Sequence, residues 1–292
     1  MKPRRASVES SILHPRRLRG AHYSSMASRT KQKEAARARR VAEERAAAER
    51  AQRARRTRML GGVVLLAVVI VGVAIAISVS GSGSSSATKP NSTAGKKSAN
   101  AVGSLLAGIP QSGVTLGSPS AKVTVTEFGD LQCPICKDFA LTTEKQLIAN
   151  DVRSGKVKLV YRSLETATGS APDPSIFPVQ QAAANAAGAQ GKAWNYILLF
   201  YRAQGPEGTG YVNQSFLNGL ASQISGLNYA KWSSDSKNPS YTAQVTADQQ
   251  AAAGKGLSAT PSILVQGPKG QAQPFQTLVD YPTLESAIKS VS

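Results

Sequence analysis

The chain has 292 residues and a formal net charge of +18, because 35 Lys and Arg stand against 17 Asp and Glu. Such an excess is typical of nucleic-acid-binding proteins, but it is concentrated in one part of the chain. Residues 1–58 hold 18 Lys and Arg against 5 Asp and Glu, whereas residues 102–292 hold 14 against 12. We therefore expect no nucleic-acid partner.

Residues 1–58 are predicted to be a basic tail, disordered at first and then helical. An unbroken run of 18 apolar or glycine residues follows, from Leu60 to Ile77, and it is long enough to cross a bilayer as a helix. We predict an uncleaved transmembrane helix over residues 59–79. A cleaved signal peptide is the alternative, but its charged leader is normally short, and 59 residues precede this run.

The charge distribution also predicts the orientation of this helix. Arg53, Arg55, Arg56 and Arg58 adjoin its amino-terminal end, and positively charged flanks stay in the cytoplasm. The sequence therefore predicts a single-pass protein of the cell membrane, with a cytoplasmic amino terminus and an extracytoplasmic remainder. Disulfides persist in that compartment.

Residues 80–101 are rich in Ser, Gly and Ala and are predicted to be a flexible linker. Residues 102–292 are enough for one domain. Strands are predicted from β-branched runs and helices from apolar spacing. The predicted strands are 122–128, 156–163, 262–265 and 273–277, and the predicted helices are 133–150, 179–189, 191–204, 212–224, 229–234, 240–253 and 282–291. This order predicts an α/β domain with a helical insertion at about 166–256.

Cys133 and Cys136 are the two cysteines of the chain, and they follow a predicted strand at the start of a predicted helix. That is the layout of a dithiol redox site. Zinc is disfavoured because a structural site needs four ligands, and both histidines, His14 and His22, lie in the basic tail. A purely structural disulfide is the other alternative, although so short a loop would add little stability. We predict a redox pair, with no metal and no other cofactor.

Several segments resemble the DsbA-like branch of the thioredoxin superfamily, over roughly residues 114–292. VTVTEFGDLQCPICKDF is similar to the first active-site strand and helix, VKLVYRSL to the next strand, and GLSATPSILVQG to the segment that carries a cis-proline loop. FPVQQAAANAAGAQGKAWNYILLFY resembles the inserted helices, and YPTLESAIKSV the last helix. The resemblance implies a thioredoxin-like fold with an inserted helical subdomain, here preceded by the predicted transmembrane helix and basic tail.

The resemblance also implies which residues carry the chemistry. Cys133 matches the nucleophilic cysteine of the family, and Cys136 matches the resolving cysteine. Glu127 matches the buried acid near the second cysteine in many members, where it would move a proton if apolar surroundings raise its pKa. A solvated carboxylate at the end of a strand is the alternative for Glu127.

Substrate contacts are expected around the same pair. Thr260 and Pro261 match the cis-proline dipeptide that faces the disulfide, and the backbone of Thr260 would pair with an extended substrate. Pro134 and Ile135 would border the reactive sulfur. The strongest oxidants of the family carry histidine at the position of Ile135, so we expect the pKa of Cys133 to be lowered, but less than in those proteins.

The sequence therefore predicts a membrane-anchored thiol–disulfide oxidoreductase that donates disulfides to secreted proteins. Thiols of secreted or membrane proteins would be its substrates, and a membrane redox partner would reoxidise it, as the resemblance implies. A reductase or isomerase and a tethered, non-catalytic peptide-binding domain are the alternatives.

Overall fold

The computed structural model describes residues 87–292. The predicted basic tail (1–58), the predicted transmembrane helix (59–79) and the first part of the predicted linker lie outside these residues. Within 87–292, no helix has both the length and the apolar character that crossing a bilayer requires.

One sheet organises the described part of the chain, with the strand order β1-β2-β4-β3-β5-β6. The central strand β3 runs parallel to β4 and antiparallel to β5. A parallel pair needs a crossover connection, and the helices after the two cysteines supply it. The strands are β1 Gln111–Ser112, β2 Thr115–Leu116, β3 Val123–Gly129, β4 Val157–Ser163, β5 Ser262–Gly267 and β6 Gly270–Gln271.

The helices of residues 87–292 are α1 Thr93–Leu106, α2 Pro134–Leu141, α3 Thr143–Leu147, a π-helical turn Ile148–Val152, a 3-10 turn Ala167–Ser170, α4 Ile176–Gly188, α5 Ala193–Ala203, α6 Gln214–Ser222, α7 Tyr229–Asp235, α8 Pro239–Ala253 and α9 Tyr281–Val291. The predicted helical insertion corresponds to the 3-10 turn and α4 to α8, which lie between β4 and β5. The α/β architecture and its thioredoxin-like order, strand–helix–strand, helices, strand and helix, match the prediction.

The core lies between the sheet and α5, which is buried along nearly its whole length. Trp194, near the start of α5, is fully buried, and its indole N–H donates to the carbonyl oxygen of Val114 at 3.0 Å. The ring of Tyr161 in β4 meets that of Trp194 edge to face, with centroids 6.5 Å apart. These contacts fix α5 against the sheet, so that its last turn reaches the cysteine loop.

The predicted linker over residues 80–101 is wrong from residue 93 onward, because α1 begins there. The side chain of Ser92 caps this helix by accepting from the backbone N–H of Gly95 at 3.1 Å. Val102 and Leu106 on α1 are buried in the core, and the N–H of Thr88 donates to the carbonyl oxygen of Ala203. The packed domain therefore begins before residue 102.

Two other elements differ from their prediction. The helix predicted over 133–150 is interrupted at Thr142, whose φ of −116° and ψ of −81° are not helical, and it ends in the π-helical turn. The strand predicted over 273–277 is reduced to a bridge between Phe275 and Ile263. Pro274 has no N–H to donate to a ladder, which is consistent with this short pairing.

Candidate active site

The cysteine loop connects the end of β3 to the start of α2. Cys133 occupies the cap position of α2 in an extended conformation, with φ −72° and ψ 121°, and Pro134 is the first helical residue. Proline suits that position because its missing N–H would have no partner there. The carbonyl oxygen of Cys133 accepts from the N–H of Lys137 at 3.2 Å. The Cys133 sulfur therefore lies at the positive end of a helix.

The two thiols differ in their exposure to solvent. Cys133 keeps 6% of its surface exposed, whereas Cys136 is completely buried one helical turn later. Pro134 and Ile135 between them are exposed, and Ile135 exposes 41% of its surface. A substrate sulfur can therefore approach Cys133 past these two residues, but it cannot approach Cys136.

The surroundings of Cys133 favour its thiolate and lower its pKa from 9.0 to about 6. The largest cause is a hydrogen bond from the thiol of Cys136, followed among the stabilising contacts by the side chain of Thr260 and the backbone N–H groups of Cys136 and Ile135. Partial burial opposes them by disfavouring the charge. The most acidic cysteines of this type reach a pKa of about 3.5, so the lowering at Cys133 has the expected direction and is smaller than the one expected where histidine replaces Ile135.

The segment predicted to face the cysteines does so. The Thr260–Pro261 peptide bond is cis and immediately precedes β5. The thiol of Cys133 donates to the carbonyl oxygen of Thr260 at 3.4 Å, across 127 residues of sequence. The hydroxyl of Thr260 also hydrogen-bonds to that of Thr166, in the loop after β4. Three loops therefore meet at the reactive sulfur.

Cys136 and Glu127 lie behind this surface. Burial, the hydrogen bond with Cys133 and the charge of Glu127 raise the pKa of Cys136 well above that of a free thiol. Glu127 is fully buried in β3, and burial, followed by the charge and hydrogen bond of Glu144, raises its pKa well above the ordinary value. The interpretation of Glu127 as a solvated carboxylate is therefore wrong.

Sequence reasoning missed Asp130, which holds the cysteine loop against the loop after β4. Its buried carboxylate accepts from the backbone N–H groups of Gln132 at 3.0 Å, Thr166 at 3.0 Å and Thr168 at 2.8 Å. The hydroxyl of Thr168 also donates to it. Its place two residues after a predicted strand was the available signal, but its partners Thr166 and Thr168 lie over 30 residues away.

Gln204, at the end of α5, was missed as well. Its buried side-chain amide donates to the carbonyl oxygens of Leu131 at 2.8 Å and Cys133 at 3.1 Å. The ammonium group of Lys137 donates in turn to the carbonyl oxygen of Gln204 at 3.4 Å. The end of α5 therefore holds the backbone of the cysteine loop through hydrogen bonds. No local sequence pattern marks Gln204 for this role.

Both cysteines carry free thiols in this structure. Residues 87–292 contain no group of three or more His, Cys, Asp or Glu side chains that could hold a metal ion. The site is thus built from two thiols, a buried carboxyl group and a threonine–proline loop, and thiol–disulfide exchange is the chemistry that these groups can perform. That the protein works without a further cofactor stays a prediction.

Comparisons with known proteins show the family of this chain. The family model Thioredoxin_4, described as Thioredoxin, matches residues 110–289. The "Probable disulfide bond formation protein D" of Bacillus anthracis is 23% identical over 180 residues, which cover 60% of this chain and 76% of that protein.

Solved structures give the same fold. Oxidised BdbD from Bacillus subtilis has a TM-score of 0.52 at 20% identity, covering 62% of this chain and 97% of that one. The α-DsbA1 of Wolbachia pipientis has a TM-score of 0.50 at 14% identity, covering 64% and 92%. The chain therefore belongs to the thioredoxin family and is a thiol–disulfide oxidoreductase with a DsbA-like fold.

Proposed function

We propose that this protein is a membrane-anchored, extracytoplasmic oxidase that donates disulfides to secreted proteins through Cys133 and Cys136. The observation that carries this proposal is the opposite environment of the two sulfurs. The thiolate of Cys133 is stabilised, whereas Cys136 is buried and favours its protonated form. Stabilising the reduced pair makes the corresponding disulfide a stronger oxidant.

The reaction proceeds in two exchanges. A substrate thiolate attacks the Cys133 sulfur of the oxidised pair, the Cys133–Cys136 bond breaks, and the electron pair leaves on the sulfur of Cys136. Glu127 then protonates that sulfur. A second substrate thiolate attacks the substrate sulfur of the mixed disulfide and expels Cys133 as a thiolate. The substrate gains a disulfide and loses two electrons, which the cysteine pair now holds.

Substrate binding follows from the exposed groups around Cys133. The Pro134–Ile135 pair and the Thr260–Pro261 loop border the sulfur, and an extended peptide would pair with the backbone of Thr260. The substrates in this proposal are thiols of secreted or membrane proteins, and a membrane redox partner reoxidises the pair. The predicted helix at 59–79 would keep the domain on the outer side of the cell membrane.

Trapping tests the proposal most directly. In the Cys136→Ser variant the mixed disulfide with Cys133 cannot be resolved, so secreted proteins should accumulate as covalent adducts that a reducing agent releases. Cys133→Ser should form none and should lose oxidase activity towards a reduced dithiol peptide. A tethered peptide-binding domain would instead keep its full activity in Cys133→Ser.

The reduction potential separates the oxidase from a reductase or isomerase. We expect a value well above that of thioredoxin, which is about −270 mV, because each 30 mV corresponds to about 1.4 kcal/mol for a two-electron couple. A value near −270 mV would overturn the oxidase proposal. Labelling of Cys133 in intact cells by a membrane-impermeant thiol reagent, after treatment with a membrane-impermeant reducing agent, tests the extracytoplasmic location, and protection of Cys133 under these conditions would contradict that location.

A further inference from the structure

A buried group of four side chains lies behind Cys136. It comprises Glu127 in β3, Glu144 in α3, Tyr161 in β4 and Tyr201 in α5, each at most 2% exposed. Three of them converge on Gly129: a methyl group placed there would lie 2.8 Å from the ring of Tyr161, 3.0 Å from a carboxyl oxygen of Glu127 and 3.1 Å from the hydroxyl of Tyr201. We call these four residues the acidic cluster.

The carboxyl groups of Glu127 and Glu144 are both fully buried, and each lies close enough to the other to perturb its pKa. In the described part of the chain, no N–H or O–H group of another residue satisfies either carboxyl group within ordinary hydrogen-bond limits. The ion pairs within 87–292 also lie elsewhere. Two carboxylates are both acceptors and repel each other. A hydrogen bond between Glu127 and Glu144 therefore requires a proton on one of them.

We propose that Glu144 is a positioning residue that keeps a proton on Glu127, so that Glu127 can deliver it to the sulfur of Cys136 when the disulfide opens. This inference rests on the proposed function and extends it to a residue that the sequence reasoning did not consider. In the resting pair, the carboxylic acid of Glu127 donates a hydrogen bond to the carboxylate of Glu144.

The proton balance follows from this arrangement. When a substrate thiolate attacks Cys133, the departing electron pair makes Cys136 a buried thiolate. Glu127 transfers its proton to that sulfur and becomes a carboxylate. Two buried carboxylates then face each other, which is unfavourable, so the pair takes up one proton from solvent. The reduced site thus ends with a protonated Cys136 and a singly protonated carboxyl pair.

The charges around the pair support this assignment. Burial raises the pKa of Glu127, as do the charge and hydrogen bond of Glu144 and the charge of Cys133, while the hydroxyl of Tyr201 opposes them. Burial raises the pKa of Glu144 to about 7, against a lowering by the hydrogen bond from Glu127. The pair therefore holds at least one proton near neutral pH.

Infrared spectroscopy of the full-length chain in detergent tests the proposal, because a protonated carboxyl group and a carboxylate absorb differently. In the Glu144→Gln variant, the partner loses its charge and gains an N–H donor, and both changes favour the carboxylate of Glu127. We expect the pH at which Glu127 ionises to fall by at least about one unit, a tenfold change in its ionisation constant. Glu144→Asp should restore most of the wild-type behaviour.

The control is Glu207→Gln, which removes an exposed carboxyl group from the loop after α5 and should change nothing. The pH profile of mixed-disulfide formation with a peptide thiol should shift in Glu144→Gln and stay unchanged in this control. A merely structural role for Glu144 would alter stability but would move neither the ionisation of Glu127 nor this profile.

Two results would overturn the inference. One is an unchanged ionisation of Glu127 in a folded Glu144→Gln variant. The other, which stands even if that variant fails to fold, is independent ionisation of both carboxyl groups at ordinary values in the wild type. Neither measurement needs oxidase activity, so the inference can fail while Cys133-dependent oxidation of a dithiol peptide remains intact. Loss of the proposed function itself would appear in that peptide assay instead.

Discussion

Lowering the pH should remove a stabilising effect that Cys133 gives to the reduced protein. Its pKa is lowered from 9.0 to about 6 by folding. The contribution is therefore fully present above the unfolded pKa and is lost as the pH falls through the folded pKa. As the pH falls from 9 to 6, the reduced protein loses the part of its free energy of unfolding that the Cys133 thiolate contributes. The oxidised protein has no thiolate at this position and should not show this loss.

The size of the effect follows from the shift. Three pKa units correspond to about 4 kcal/mol at 1.36 kcal/mol per unit. Cys133 is coupled to Cys136 and Glu127, so part of this free energy is shared with the ionisation of those groups. We expect a change of about 2 kcal/mol in the free energy of unfolding that is attributable to Cys133.

Urea unfolding isolates this term when the reduced wild type is compared with Cys133→Ala at several pH values. The difference between the two free energies of unfolding removes the contributions of groups that do not contact Cys133, and it retains the coupling of Cys133 to Cys136 and Glu127. We expect it to fall by about 2 kcal/mol from pH 9 to pH 5, with the thiolate absorbance of Cys133 disappearing near pH 6. A pH-independent difference, or a thiolate that titrates near its unfolded value, would refute the reasoning.

Three further substitutions probe the contacts of the cysteine loop. Thr260→Val removes a hydroxyl that stabilises the thiolate of Cys133, and we expect the pKa of Cys133 to rise by about one unit. Thiolate absorbance measures this pKa, and Thr260→Ser is the control because it keeps the hydroxyl. Asp130→Asn replaces a buried acceptor of five hydrogen bonds and should cost about 3 kcal/mol in urea unfolding. A cost below about 1 kcal/mol would contradict the role of Asp130 in holding the two loops together. Gln204→Ala leaves the carbonyl oxygens of Leu131 and Cys133 without its amide, so a loss of about 1–2 kcal/mol is expected, and unchanged thermal unfolding would argue against it.

The central part of the fold could be predicted because its signals are local. The strands β3 and β4 are β-branched runs, and they lie within a residue of the predicted bounds. The cysteine pair and the Thr260–Pro261 segment were recognised through their order along the chain. In the structure the Cys133 thiol donates a hydrogen bond to the Thr260 carbonyl oxygen. This proximity could be predicted from the thioredoxin-like topology.

The missed elements depend on tertiary contacts. The α1 helix is rich in Ser, Lys, Ala and Gly, a composition that also suits a linker, and its position depends on the burial of Val102 and Leu106 in the core. The strands β1 and β2 have two residues each, too few to show any alternation. The pairing of β1 with β2 and of β2 with β4 could not be inferred without knowing the sheet.

The missed polar residues have the same cause. Glu144 stands in a predicted helix beside Lys145, and a charged pair of this kind normally faces solvent. In the structure, Glu144 is fully buried while Lys145 is exposed. Glu144 lies on the stripe of buried residues at helical spacing that also holds Ala140, Leu147 and Ile148. The spacing therefore marked its position as buried, whereas its charge indicated an exposed one.

The asymmetry of the cysteine pair assigns different requirements to the two exchanges. In the first, the leaving group is Cys136, whose thiolate is disfavoured by burial and by the charge of Glu127, so a proton must accompany its departure. In the second, the leaving group is Cys133, whose thiolate is already favoured near neutral pH, so no acid is needed. The sensitivity of the overall reaction to Glu127 should therefore lie in the first exchange, and any pH dependence of the second should follow the substrate thiol alone.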